Sequence, residues 1–139
     1  EESGGIGIKN HIPERDGVLC GLSILELVAE EEKPMSAIIT EIMDDIGYHY
    51  YHRNDIHLDA RKDVVEKIDD NPPEKIAGYK IKKIERTDGV KLRFDNGWLL
   101  MRASGTEPVL RIYCEMNSME KVKNVLQEAE KYAKKLAGV

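Results

Sequence analysis

The sequence predicts an α+β fold: a small antiparallel sheet with helices packed on one face, preceded by the helical tail of an α/β domain. Three observations carry this. In the second half, short apolar runs are separated by Asp88-Gly89 and Asn96-Gly97, both strong hairpin turns. The final stretch places Val122, Val125, Leu126, Ala129, Tyr132, Ala133 and Leu136 on one helical stripe. Residues 1–47, by contrast, hold only a glycine-rich loop and two helical patterns, too little for a self-contained domain.

The elements follow in order. Glu1–Gly7 is too rich in glycine for regular structure. Asp16 is a good N-cap for a helix over Gly17–Glu30, whose Leu19, Leu22, Ile24, Leu25, Leu27, Val28 and Ala29 are apolar nearly all round and predict burial on most sides. Pro34 opens a second helix with Met35, Ile38, Ile39, Ile42, Met43 and Ile46 at helical spacing, and Gly47 stops it. These observations divide the chain into an incomplete domain, 1–47, and a complete one, 48–139.

In the second region, Tyr48–Leu58 reads as a strand. Asp59 is placed to cap a short helix bearing Ala60, Val64 and Ile68, which Pro72 and Pro73 end. Strands are predicted over Tyr79–Glu85, Val90–Phe94, Trp98–Arg102 and Val109–Glu115. Asn117 with Glu120 resembles a capping box for the last helix. Trp98 reads as core or loop support.

The chain has 139 residues, a net charge of −5 and 41% apolar residues. An acidic protein with a single Phe is a poor nucleic-acid binder, because such surfaces need basic grooves and exposed aromatics. No apolar run is long enough to span a bilayer, so neither a nucleic-acid nor a membrane partner is expected. Cys20 and Cys114 read as reduced thiols of a cytoplasmic protein. Although His49, His52 and His57 are close in sequence, neighbours along a strand point to opposite faces, and no metal site is read from them.

One loop carries chemistry. Arg102-Ala103-Ser104-Gly105-Thr106-Glu107-Pro108 joins two strands expected to be neighbours. A phosphate needs a planar cation, hydroxyl donors and exposed backbone N–H groups. Arg102 offers a bidentate fork. Ser104 and Thr106 offer hydroxyls, and Gly105 lets the backbone approach an anion. Arg111, on the next strand, shares a face with Val109 and Tyr113 and can point back at the same anion. A carboxylate repels phosphate, so Glu107 either turns outward or holds an arginine in place. At the other end, Glu1-Glu2-Ser3-Gly4-Gly5 sets carboxylates and a hydroxyl on a flexible loop, where they can accept from vicinal sugar hydroxyls.

Three segments stand in order: Glu1-Glu2-Ser3-Gly4-Gly5, then His11-Ile12-Pro13-Glu14-Arg15-Asp16-Gly17, then Arg102 through Pro108. Together they are similar to the α-D-phosphohexomutase family, which includes phosphoglucomutase and phosphomannomutase. The resemblance runs over the whole chain. It implies an enzyme of four domains around a cleft, with 1–47 as the C-terminal part of the third, sugar-binding domain. Residues 48–139 would be the C-terminal phosphate-binding lid, a TATA-binding-protein-like fold. It implies sugar contacts from Glu1 and Ser3, although the glycine that precedes this motif in the family is not in the sequence. It implies phosphate contacts from Arg102, Ser104, Gly105 and Thr106, with Arg15 and Arg111 at positions that vary across the family.

The implied activity interconverts hexose 1-phosphate and hexose 6-phosphate, glucose or mannose rather than glucosamine, through a hexose 1,6-bisphosphate. A phosphoserine in the first domain and Mg²⁺ in the second would do the chemistry. No Asp-Gly-Asp loop and no recognisable nucleophile is in the sequence, so the chain is read as a C-terminal fragment without catalytic residues or metal ligands. Its expected partners are a hexose phosphate and the preceding domains of the same protein. Gly47–Arg53 is the natural hinge. The competing class is a non-catalytic α+β interaction module, which predicts no affinity for hexose phosphates.

Overall fold

The computed structural model describes residues 5–139. It divides into two compact units, the division falling between Gly47 and Tyr48. In the first, helix α1 spans Gly17–Glu31 and α2 spans Met35–Ile46. The Asp16 carboxylate accepts from the Leu19 N–H at 2.9 Å, as the sequence requires of an N-cap. Pro34 is the N-cap of α2 rather than its first residue, and Gly47 ends that helix at a φ of 97°. The expected burial of α1 is not seen. No residue of α1 is buried, and α2 buries only Ile38, so Val18, Leu22, Leu25 and Ile42 stay exposed. A helix apolar on all sides needs cover from several elements, and the described residues do not supply it.

The second unit is built on strand β1 (Tyr50–His57), helix α3 (Arg61–Asp70), the short strands β2 (Lys75–Ile76), β3 (Tyr79–Lys80) and β4 (Lys83–Glu85), then β5 (Val90–Phe94), β6 (Gly97–Ala103), β7 (Val109–Met116) and helix α4 (Met119–Ala137). Five strands form one antiparallel sheet in the order β1-β7-β6-β5-β4, and β2 and β3 form a separate ribbon. The period-2 pattern decides which face is covered. Val90, Leu92 and Phe94, Leu99 and Met101, and Leu110, Ile112, Cys114 and Met116 all point to α3 and α4 and are buried. Helix α4 returns Val122, Val125, Leu126, Ala129 and Ala133 to the same core, and α3 adds Val64 and Ile68. Within this unit the opposite face carries no helix.

Local details differ from the sequence reading. The predicted strand Tyr79–Glu85 is broken into β3 and β4, because Tyr79 pairs with Ile76 while Lys83 pairs with Arg93. Asp59 does not cap α3: the N-cap is Ala60, with no side-chain bond. At α4 the cap is Ser118, whose hydroxyl accepts from the Lys121 N–H at 3.3 Å, while Asn117 instead accepts from the Lys121 ammonium at 2.8 Å. Ser118 wins because a cap must bond backbone two or three residues on, and it stands one place nearer. Gly97 is already in β6, opposite Phe94. A Cβ there would run into the Glu115 carbonyl oxygen and lie 2.5 Å from the Met116 sulfur. Trp98 is not core. It sits half-exposed on the open face, with the Lys91 ammonium 3.9 Å from its ring centre.

Candidate functional site: an arginine pair beside a braced loop

The open face of the sheet brings two predicted residues together. Arg102 on β6 is the direct cross-strand partner of Arg111 on β7, and Arg111 is in turn the partner of Asp55 on β1. Like charges directly opposite in a sheet destabilise it, so each guanidinium carries a counter-charge. Arg102 Nη1 donates to Asp88 Oδ2 at 2.7 Å. Arg111 Nη2 donates to Glu107 Oε2 at 3.3 Å. Glu107 thus takes the second role open to it, holding an arginine. The Arg111 guanidinium is pushed further towards its charged form, first by the Tyr113 hydroxyl, then by the Asp55 and Glu107 carboxylates. Its Nε is buried and has no hydrogen-bond partner among the described residues.

The loop from Ser104 to Pro108 is braced rather than loose. The Ser104 N–H donates to the Val109 carbonyl at 2.9 Å, and the Val109 N–H donates to the Glu107 carbonyl at 2.8 Å. The Ser104 hydroxyl accepts from the Glu107 N–H at 3.3 Å, and Arg61 Nε on α3 donates to the Ser104 carbonyl at 2.9 Å. Ser104 is accordingly buried, and its oxygen serves the loop itself. Gly105 and Thr106 are exposed, and no hydrogen bond among the described residues uses their N–H groups. Gly105 has no positive φ, and a Cβ on it would meet nothing within 4 Å. The fold alone therefore gives no reason for glycine at this position.

Asp88 reaches Arg102 because of its neighbour. Gly89 adopts a φ of +86°, and a Cβ there would lie 2.5 Å from the Met101 carbonyl oxygen. Only glycine lets the turn lie so close to β6. The sequence alone predicts Asp88-Gly89 as a turn, and the role of the Asp88 carboxylate appears only in the structure. Its signal was cross-strand register: with Val90 opposite Met101, the turn must fall beside Arg102.

The remaining predicted residues stand in the other unit. The Arg15 side chain is 54% exposed, and its Nε lies 3.7 Å from Glu14 Oε1. Its Cδ covers the space a Cβ on Gly5 would need. His11 Nε2 lies 2.9 Å from Asp16 Oδ2, and the Leu19 N–H and His11 together hold the Asp16 carboxyl below its ordinary value. Glu1 and Ser3 lie outside the described residues. Among the described residues no three His, Cys, Asp or Glu side chains cluster in a way that could hold a metal ion. No helix of the described residues is long and apolar enough to cross a membrane.

The second unit is thus a small α+β domain: an antiparallel sheet with helices on one face, and an arginine pair on the other face beside a braced, glycine-bearing strand connection. Residues 53–131 match the family description "phosphoglucomutase/phosphomannomutase, C-terminal domain", and residues 1–46 match its alpha/beta/alpha domain III. The chain belongs to the phosphoglucomutase/phosphomannomutase family. It is 38% identical over 128 residues to a phosphoglucomutase/phosphomannomutase of Thermococcus kodakarensis, covering 91% of this chain and 26% of that protein. It is 30% identical over 127 residues to a phosphoglucosamine mutase of Methanocaldococcus jannaschii, covering 86% and 25%. A crystal structure from Thermus thermophilus, assigned as a phosphomannomutase, superposes with a TM-score of 0.71 at 36% identity, over 94% of this chain and 25% of that one. The chain thus spans about a quarter of the length of the relatives it matches.

Proposed function

We propose that residues 48–139 are the phosphate-binding lid of a phosphohexomutase, and that residues 1–47 are part of its sugar-binding domain. The whole enzyme would interconvert hexose 1-phosphate and hexose 6-phosphate through a hexose 1,6-bisphosphate. The observation that carries this is the pairing of Arg102 with Arg111 beside two backbone N–H groups, of Gly105 and Thr106, that no acceptor among the described residues uses. A phosphate dianion answers both features: it screens the two guanidiniums and accepts from the amides.

The lid's part is grip rather than bond-making. Phosphoryl transfer depends on positioning and electrostatics. A sugar that must be held in two orientations is best held by its non-reacting phosphate, with Glu1 and Ser3 accepting from its hydroxyls. Mg²⁺ and the phosphorylated nucleophile would come from other parts of the enzyme. Closure of the lid on its ligand would commit the substrate. The irregular stretch between α2 and β1, Gly47–His49, is where the backbone would bend.

Glucose and mannose phosphates are the first reading of the substrate. The phosphoglucosamine mutase among the relatives favours an amino sugar as the second. Titration with glucose 1-phosphate, glucose 6-phosphate, glucosamine 6-phosphate and inorganic phosphate, following the Gly105 and Thr106 amides by NMR, tests the site. Shifts at these amides that vanish in Arg102→Ala are expected. Shifts that persist in that variant, or none at millimolar ligand, count against the lid and favour a non-catalytic interaction module.

A further inference from the structure

Arg102 borders more than its arginine partner. On the open face it alternates with Leu100 and Trp98 along β6. Lys91 of β5 stands directly opposite Leu100, and Glu85 of β4 stands opposite Lys91. The turn between β4 and β5 is drawn against the same stretch of β6: a Cβ on Gly89 would lie 3.1 Å from the Arg102 Cα. Together they form a hollow of about 200 Å³ lined by Glu85, Thr87, Asp88, Gly89, Lys91 and Leu100. That is below the roughly 300–1,000 Å³ of a site for a drug-sized ligand and suits a single ring.

The polar groups of the hollow differ in how far they are committed. Glu85 is engaged: it accepts from Lys83 Nζ at 3.0 Å and from Arg93 Nη2 at 3.2 Å, and these donors hold its carboxyl below the ordinary range. Asp88 gives Oδ2 to Arg102, and its other oxygen accepts from no donor among the described residues. The Thr87 hydroxyl makes no hydrogen bond among the described residues. The Lys91 ammonium stands over the Trp98 ring. A carboxylate acceptor, a hydroxyl that can turn to donate or accept, an ammonium donor and the apolar Leu100 answer the hydroxyls and C–H faces of a sugar.

We propose that this hollow is a sugar subsite of the lid, taking the ring of a hexose phosphate whose phosphate lies on Arg102, Arg111 and the Gly105 and Thr106 amides. The inference rests on the phosphate reading of that loop and adds the place of the ring. Arg102 stands between the two, with Arg111 on one side and the hollow, lined by Asp88 and Gly89, on the other. The ligand must step across about one strand spacing, ~4.8 Å, and the ester link between a phosphate and a sugar ring spans such a step. The exchange of partners also balances. When the phosphate takes the Arg102 guanidinium, Asp88 loses its resting partner, and ring hydroxyls give that carboxylate new donors. A phosphate without a ring leaves Asp88 to water. Hexose 1-phosphate and hexose 6-phosphate present different hydroxyls beside the phosphate, and a carboxylate with a rotatable hydroxyl accepts either set.

Titration of the full chain, isotopically labelled, with inorganic phosphate and with glucose 6-phosphate tests the subsite, the Gly105 and Thr106 amides reporting affinity by NMR. Thr87 is exposed, so Thr87→Val removes the hydroxyl without disturbing the core. A neutral hydrogen bond is worth about 2- to 12-fold in affinity. Thr87→Val is expected to weaken glucose 6-phosphate by that factor relative to inorganic phosphate. In the unaltered chain, nuclear Overhauser contacts are expected between the Leu100 methyls and the C–H protons of the ring. If Gly105 and Thr106 respond to both ligands, an unchanged ratio or the absence of those contacts overturns the subsite and leaves the phosphate reading standing. No response at Gly105 and Thr106 to either ligand overturns both.

Discussion

Substituting Gly105 by alanine separates the fold from the site. A Cβ at this position would meet nothing within 4 Å, and the residue has no positive φ. The folded state therefore accepts alanine without strain. Alanine also has fewer conformations to lose on folding, worth about 0.4–1 kcal/mol in favour of the variant. For a unit of this size that is a rise in Tm of roughly 2–8 °C. The ligand faces a different geometry. An anion held by the Gly105 and Thr106 N–H groups must approach the backbone where the new methyl would stand. Losing one charge-assisted hydrogen bond costs about 1.5–3 kcal/mol, which is roughly 10- to 150-fold in affinity. A thermal melt by circular dichroism and a phosphate titration by NMR read the two effects on one sample. Unchanged phosphate affinity would refute the cradle. A Tm lower by more than about 5 °C would refute the claim that the space is open.

Two further outcomes test the fold. Gly97→Ala drives a Cβ into the Glu115 backbone, which cannot yield without parting β6 from β7; a loss of about 3 kcal/mol is expected, seen in thermal melts as a drop of roughly 12–24 °C, and a drop under a few degrees would show that the strands can move apart. The Cys114 thiol is pushed by burial from its ordinary value of 9.0 to about 12. Its folded pKa lies above its unfolded one, so its contribution to stability is whole below pH 9 and is lost as pH rises from there towards 12. Cys114→Ala should flatten that alkaline loss in urea melts at pH 8 to 11, and an unchanged slope would assign the loss to other groups.

The sheet was legible because its pattern is local. Alternation over Val90–Phe94 and Val109–Met116, and a stripe along α4, each encode one covered face, and one covered face is enough to order a hairpin stack. What the sequence hid depends on pairing or on competition between neighbours. The break between β3 and β4 arises because Tyr79 and Lys83 answer to different partners, which no periodicity reveals. Ser118 displaces Asn117 as cap by a shift of one residue, within the ambiguity of any cap. In the site, the residue types in the loop pointed to Arg102 and Arg111, but the inward turn of Ser104 did not show. A serine in such a loop can serve a ligand or the loop itself, and the choice rests on the Glu107 N–H and on Arg61, forty-three residues away. Asp88 was hidden for the same reason: its role exists only once Val90 is set opposite Met101.

The bracing of the loop bears on how it would act. Binding an anion on a mobile loop costs the entropy of ordering it, about 1–2 kcal/mol for each residue fixed. Here the Ser104 carbonyl, N–H and hydroxyl are all engaged before any ligand arrives, by α3, by β7 and by the loop's own far end. The two unused amides are thereby held in place by bonds that face the core side, and the ordering cost falls on folding rather than on binding. The arginines are treated differently. Each rests on a carboxylate, Asp88 or Glu107, that is more than 60% exposed and so is held weakly. A phosphate can then take a guanidinium from its resting partner at little cost, while the backbone around it stays still. Rigid amides with exchangeable counter-charges would suit the reversible phosphate binding proposed for this loop.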